Sequence, residues 1–207
     1  SDQEIAQRKE LVDPIDTSQF KLIERRRPAG AELEPYVRFR LTENGVSPIS
    51  HPGMKGGNYQ GAGIEHNEQA NPTASGKMHQ AMNEKRFRKL NPLKRRRDLF
   101  HVEGNPRAPL AIIGWGSIAG VCREAFTRAV ASGLDVKLMV PWLLYPIADE
   151  VYRDFFASVR SGLVVELSFQ GQLYRLLRMF TEVPHGVTSL CRSGANPIQP
   201  REVVAQL

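Results

Sequence analysis

Residues 110–131 read LAIIGWGSIAGVCREAFTRAVA. Leu110–Ile113 is a short apolar run, and Gly114, Gly116 and Gly120 follow it. Beyond the turn, apolar residues recur at Ile118, Val121, Cys122, Ala125, Phe126 and Ala129. That i, i+3, i+4, i+7 spacing is one face of a helix, so the stretch predicts strand, tight turn, helix, the opening unit of an α/β domain. A glycine-rich turn of this kind is either a phosphate cradle or a packing corner. Here G-W-G-S-I-A-G carries one residue more than the dinucleotide fingerprint. Trp115 would crowd a pyrophosphate, and the next strand ends in Met139 and Val140, with no acid for a ribose hydroxyl. The turn therefore predicts packing, with Ser117 as helix N-cap and Gly133 as the stop. An anion site here would rest on Gly116, Ser117 and the backbone N–H groups of the helix start.

The same alternation continues outward. Val136–Val140 predicts a second strand, Ala148–Val159 a helix that Gly162 ends, and Leu163–Leu167 a strand carrying Glu166. Gly171–Phe180 predicts a third helix, Val187–Leu190 a fourth strand, and Pro200 opens a last helix. The fold class expected is α/β, a three-layer α/β/α unit with a mostly parallel sheet, preceded by a long irregular arm. The division falls near Asn105 and Pro106. Upstream, residues 42–76 are rich in Gly, Pro, Asn and Ser, with GMKGGNYQGAG at 53–63, and His79–Leu90 reads as a basic helix closed by Asn91 and Pro92. This half does not read as a compact domain. It reads as an arm laid over a body that is mostly absent from the chain, because loops this long are uncommon unless functional or packed on something else.

Composition narrows the function classes. The chain has 207 residues, 41% hydrophobic, and a formal net charge of +6. No apolar run approaches the ~20 residues of a membrane span, and SDQEIAQRKE lacks the apolar core of a signal peptide, so the expectation is a cytoplasmic protein with no membrane partner. The two cysteines, Cys122 and Cys191, cannot hold a four-cysteine iron–sulfur cluster, and Cys122 falls on the buried helix stripe as a small hydrophobe. The charge excess is concentrated in Lys85, Arg86, Arg88, Lys89, Lys94, Arg95, Arg96 and Arg97. With the Gly114–Gly120 turn, this run supports an alternative reading as a nucleotide- or nucleic-acid-binding module. No aromatic interleaving accompanies it, so nucleic acid is not the expected partner. Glu65-His66-Asn67-Glu68 is the best polar cluster, since a carboxylate beside histidine can orient an imidazole for proton transfer. His51, His66 and His79 fit no compact metal-ligand spacing, so no metal site is expected. Thr42-Glu43-Asn44-Gly45 reads as a tight turn.

Several segments together resemble one family. Tyr36-Val37-Arg38-Phe39-Arg40-Leu41-Thr42-Glu43-Asn44-Gly45-Val46-Ser47-Pro48, then Pro52-Gly53, is similar to a stretch of the α subunit of 2-oxoacid:ferredoxin oxidoreductases, the 2-oxoglutarate type above all. Gly63 to Glu68, Met82 to Leu90, Gly114 to Ser117, Gly171 to Leu173, and Ser193-Gly194 through Pro197 continue the resemblance in the same order. Ile49 stands where the family often has arginine, and His66-Asn67-Glu68 where it often has His-Asp-Glu.

The resemblance implies that residues 107–207 are a transketolase C-terminal-like domain. Residues 1–106 would be a connector arm following a pyrimidine-binding domain that ends near Ser1-Asp2-Gln3. It implies an enzyme that oxidatively decarboxylates a 2-oxoacid on thiamine diphosphate and Mg2+, forms an acyl-CoA and passes electrons through iron–sulfur centres to ferredoxin. The partners implied are the remainder of the α subunit and the β subunit, in a heteromer. No catalytic and no cofactor-binding residue of the family maps onto this chain, which would bind none of those cofactors alone. Glu65, His66, Glu68, Arg38 and Asn44 are the residues expected near the active site or an interface. In the isolated chain, limited proteolysis is expected to cut within 42–76 early and to spare 107–207; uniform protection of both halves contradicts the arm reading.

Overall fold

A computed structural model describes residues 9–21, 23–194 and 196–207; the expected domain end at Ser1-Asp2-Gln3 lies outside them. The chain divides into two compact units, one of residues 11–91 and one whose main body is 92–207.

In the second unit the sheet has five strands in the order β1-β3-β2-β4-β5. They are β1 (Phe100–Gly104), β2 (Leu110–Gly114), β3 (Val136–Pro141), β4 (Ser161–Glu166) and β5 (Gly186–Cys191). β2 pairs in parallel with β3 and β4, and β4 pairs in parallel with β5. β1, which the sequence reading leaves inside the arm, runs antiparallel along β3 from Phe100 opposite Pro141 to Gly104 opposite Lys137. Its residues FHVEG place two polar side chains on a partly exposed edge, so they carry no continuous apolar signal.

Alternate residues of the strands feed two cores. Ala111, Ile113, Met139, Val164 and Val187 pack with Val151, Tyr152, Phe155, Phe156, Leu173 and Leu177. On the other face Ile112, Leu138, Leu163 and Val165 pack with Ile118, Ala119, Cys122, Ala125, Ala129 and Val203. Five helices occur among the described residues: α1 (Gly76–Arg88), in the first unit, then α2 (Ile118–Ala131), α3 (Asp149–Phe156), α4 (Gln172–Phe180) and α5 (Pro200–Val204). The layers are therefore α3 and α4, sheet, α2 and α5: three-layer α/β/α with a mostly parallel sheet, as the sequence predicts.

The glycine turn is a packing corner. A Cβ on Gly114 would lie 2.3 Å from Cys122 Sγ, so glycine lets α2 close onto the end of β2. Gly116 adopts φ +63°. Gly120 has open space around it and is not needed for packing. Ser117 occupies the N-cap position but its side chain makes no capping hydrogen bond, contrary to the expectation from sequence; its own backbone is already helical, whereas a capping side chain needs an extended one. Burial pushes the Cys122 thiol up to about 12, in keeping with its role as a small hydrophobe.

Two further details differ from the sequence reading. Gly162 does not end a helix. It lies inside β4, where a Cβ would meet the Ala111 carbonyl oxygen at 2.3 Å, so glycine is there to let two central strands approach. Glu166 is fully buried at the end of β4. Its Oε2 accepts from Leu173 N–H at 3.0 Å and its Oε1 from Tyr174 N–H at 3.1 Å, which satisfies the first turn of α4 from a neighbouring strand.

Residues 11–91 form a compact unit of their own rather than a bare arm. Few of their apolar side chains are buried, Ala70 and Met82 among them. Hydrogen bonds supply the cohesion. Tyr36 Oη donates to the Pro48 carbonyl and accepts from Ser50 N–H, Ser50 Oγ donates to the Gly57 carbonyl, and Phe39 N–H donates to the Glu68 carbonyl. Such bonds leave no hydrophobic periodicity in the sequence, which is why the unit reads as irregular.

Substituting Gly162→Ala is expected to lower the unfolding free energy by about 1–3 kcal/mol, because backbone must move to admit the methyl group. Gly120→Ala, with open space in a helix, is expected to raise it by about 0.5–1 kcal/mol. Urea unfolding of the two variants measures both signs.

Candidate functional site

A cavity lined by two of the expected site residues, Arg38 and His66, lies within residues 11–91. It encloses about 210 Å³, and Arg38, Phe39, Ser47, His66, Lys85 and Lys89 are among its lining residues. Its floor is α1, which Ser75 caps by accepting from Met78 N–H at 3.3 Å. The turn 42–46 lies against this helix. Gly45, at φ +75°, comes so close that a Cβ would meet the Lys85 carbonyl at 2.6 Å and Lys89 N at 2.8 Å. Asn44 Oδ1 holds the turn by accepting from Val46 N–H at 3.0 Å, which makes Asn44 a turn former and not a lining residue.

Lys85 joins the parts. It is 7% exposed, and its Nζ donates to the Phe39 carbonyl at 2.9 Å and to Ser47 Oγ at 2.5 Å. Ser47 Oγ in turn donates to the Arg40 carbonyl at 2.9 Å. Burial, with the charges of Arg38 and Lys89 close by, pushes the Lys85 amine down to about 8. Arg38 stacks its guanidinium over Phe39 at 4.7 Å and over Tyr59 at 5.4 Å. His66 stacks on Phe39 with ring centroids 3.7 Å apart. His66 Nδ1 lies 3.1 Å from the Asn67 carbonyl, an acceptor, so that nitrogen carries the proton.

The carboxylate–histidine pairing differs from what the sequence suggests. Glu65 does not orient the adjacent His66 ring. Its oxygens accept from Arg86 at 2.7 and 3.1 Å and from His79 Nδ1 at 2.5 Å. His79 Nε2 accepts from Asn83 Nδ2 at 3.1 Å, so both ring nitrogens are engaged. Helical spacing on α1 puts His79, Asn83 and Arg86 on one face toward Glu65, a relation across 14 to 21 residues that no local motif displays. Arg86, then His79, hold the Glu65 carboxyl far below the usual carboxylate range. The pair's stabilisation is present above the ordinary glutamate value and is lost only as pH falls well below it. Glu68 is likewise structural, accepting from Leu41 N–H at 2.6 Å. The structure therefore brings Arg38 and His66 to the cavity, keeps Glu65 and Glu68 as supports, and adds Ser47, Lys85 and Lys89. A lysine in the middle of a basic helix gives no sign in sequence that it is buried.

The basic run is not one stripe. Lys85 to Lys89 belong to the first unit and Lys94 to Arg97 to the second. Arg88 donates to the Thr42 carbonyl, Arg96 pairs with Asp98 and Arg97 with Asp154. Gly116 and Ser117 sit at the carboxyl end of β2, beside the point where the onward connections of the neighbours β2 and β4 run in opposite directions, to β3 and to β5, the usual ligand position in such sheets. A larger cleft, of about 610 Å³ and lined by Arg153, Arg178 and His185, lies near the amino end of β5, away from that position.

No protein-family model matches the chain. The 2-oxoacid:ferredoxin oxidoreductase subunit alpha of Saccharolobus solfataricus is 27% identical over 149 residues, 70% of this chain and 23% of that subunit. The corresponding subunit 1 of Sulfurisphaera tokodaii gives the same identity and coverage. The solved structure of 2-oxoglutarate:ferredoxin oxidoreductase from Magnetococcus marinus, with 2-oxoglutarate, coenzyme A and succinyl-CoA bound, superposes with a TM-score of 0.80 at 34% identity. That match covers 94% of this chain and 34% of the other. The chain thus spans about a quarter of the length of the curated relatives it matches.

The lowered Lys85 value fixes a sign. Between about pH 8 and 10.5 the unfolded chain holds a proton on Lys85 that the folded chain has released, so stability rises with pH in that window. Relative to Lys85→Met, the chain's unfolding free energy is expected to stay level below pH 8 and to climb by about 3 kcal/mol toward pH 10.5. Parallel urea titrations measure the difference.

Proposed function

Taking as premise that the chain is homologous to a segment of the α subunit of 2-oxoacid:ferredoxin oxidoreductases, we propose that it serves as the C-terminal part of such a subunit. The reaction is the oxidative decarboxylation of a 2-oxoacid, 2-oxoglutarate above others, to an acyl-CoA with reduction of ferredoxin. The observation that carries this reading is the agreement over 94% of the chain at 34% identity with a TM-score of 0.80. Residues 107–207 act as the transketolase C-terminal-like domain and residues 1–106 as the connector from a pyrimidine-binding domain. The compartment is the cytoplasm, and the partners are the rest of the α subunit, the β subunit and ferredoxin.

The segment's role is scaffolding and subunit contact. Its cysteines and its His, Asp and Glu side chains do not make a site for an iron–sulfur cluster or a metal ion. One of its two cysteines is a buried neutral thiol, and among the described residues no three His, Cys, Asp or Glu side chains converge as a metal site would need. In this reading thiamine diphosphate, Mg2+ and the iron–sulfur cluster belong to other parts of the enzyme, and no step of the reaction is assigned to this chain.

The purified 207-residue chain is expected to show no CoA-dependent decarboxylation of 2-oxoglutarate. Co-expressed with the remainder of the α subunit and the β subunit, it is expected to restore ferredoxin reduction. Turnover by the chain alone, or full activity of an assembly lacking it, overturns the proposal.

A further inference from the structure

Three cations in the cavity of residues 11–91 lack a carboxylate partner. Glu65 is committed to Arg86 and His79. Among the described residues, Arg38, Lys85 and Lys89 form no ion pair. Arg38 Nε is buried without a hydrogen-bond partner, so the outer N–H groups of the guanidinium are the ones left to meet an anion. The Lys85 ammonium uses two of its three hydrogens on Phe39 and Ser47. The opposing charge felt by Lys85 is Glu68, which is itself bonded to Leu41 N–H. Three positive charges against one negative leave about two to be balanced.

The cavity walls suit an anion that must be oriented as well as neutralised. Arg38 presents a planar fork whose Cζ lies 4.7 Å from the Phe39 ring centroid and 5.4 Å from that of Tyr59, and a guanidinium recognises phosphoryl oxygens two at a time. Lys85 offers a point charge at depth, and Lys89 is an exposed cation at the lining. Ser47 gives its one hydroxyl hydrogen to the Arg40 carbonyl and accepts from Lys85, so it fixes the ammonium in place and is not itself a ligand.

We propose that this cavity binds a phosphoryl group, with Arg38 and Lys85 as its principal ligands and Lys89 as an outer charge. A phosphate dianion brings the balancing charge to one tetrahedral centre that the Arg38 fork and Lys85 can share, whereas a dicarboxylate of equal charge divides it between two ends. The proposal stands apart from the oxidoreductase reading and does not depend on it.

The test uses the 207-residue chain with inorganic phosphate, pyrophosphate and succinate as probes, read by calorimetry and by amide NMR shifts at Gly45, Ser47 and Lys85. Phosphate and pyrophosphate are expected to bind saturably below about 10 mM, with succinate at least several-fold weaker. Arg38→Gln, a side chain without a hydrogen bond to lose, is expected to weaken phosphate about tenfold. Lys89→Gln, an exposed change that leaves the fold intact, is expected to weaken it about threefold, and Arg95→Gln, on the other unit, not at all. Near-UV circular dichroism verifies the fold of each variant, and Lys89→Gln alone decides the matter if Arg38→Gln does not fold. Absence of saturable binding, succinate binding as tightly as phosphate, or loss in Arg95→Gln equal to that in the cavity variants overturns the proposal.

Discussion

The second unit depends on β2 being buried on both faces and flanked on both sides. Ala111 and Ile113 point into one core, Ile112 into the other, and the strand pairs with β3 on one edge and β4 on the other. A strand so enclosed has no room for a polar side chain, and it needs glycine where neighbours come closest. Gly114 admits α2 at its end, and Gly162 on β4 clears the Ala111 carbonyl at its middle. Everything downstream is positioned by these two close approaches. In the glycine turn, Gly114 is thus explained by steric demand and Gly116 by its positive φ, while Gly120 answers to neither.

The first unit is organised on an opposite principle. It has little apolar surface to bury, and its coherence rests on side chains that bond to backbone. Lys85 gathers the 39–47 stretch onto α1 through two acceptors, and Glu65 locks the 65–68 turn to the same helix through Arg86 and His79. One helix therefore serves as the post for several irregular segments. The cost is a buried ammonium, partly desolvated and set near other cations, whose charge is poorly compensated within the unit.

That contrast explains what could be read from the sequence. Where burial follows a period, as at Ile118–Ala129 or Leu110–Ile113, the residues announce their element and their face. The strand–helix order from Leu110 to Pro200 follows from this alone, with α3 and β4 shifted by a few residues. Phe100–Gly104 escapes because an exposed edge strand needs no apolar run. Gly162 misleads because glycine marks both helix stops and close strand approaches. Of the expected site residues, Arg38 and His66 were legible through the motif resemblance. The pairing of Glu65 with His79, and the burial of Lys85, arise only when a loop meets a helix, and no local spacing encodes them.

The antiparallel β1 has a practical consequence. A boundary drawn at Asn105 and Pro106, where the composition changes, would detach the strand that covers the outer edge of β3. β3 is buried along its whole length, VKLMVP, and would then present unpaired backbone beside apolar side chains. Exposed edges of that kind recruit other chains and aggregate. The natural place to cut is before Pro92, where the second unit begins, so that Phe100–Gly104, with its charged and polar outer residues, stays as the guard of the sheet.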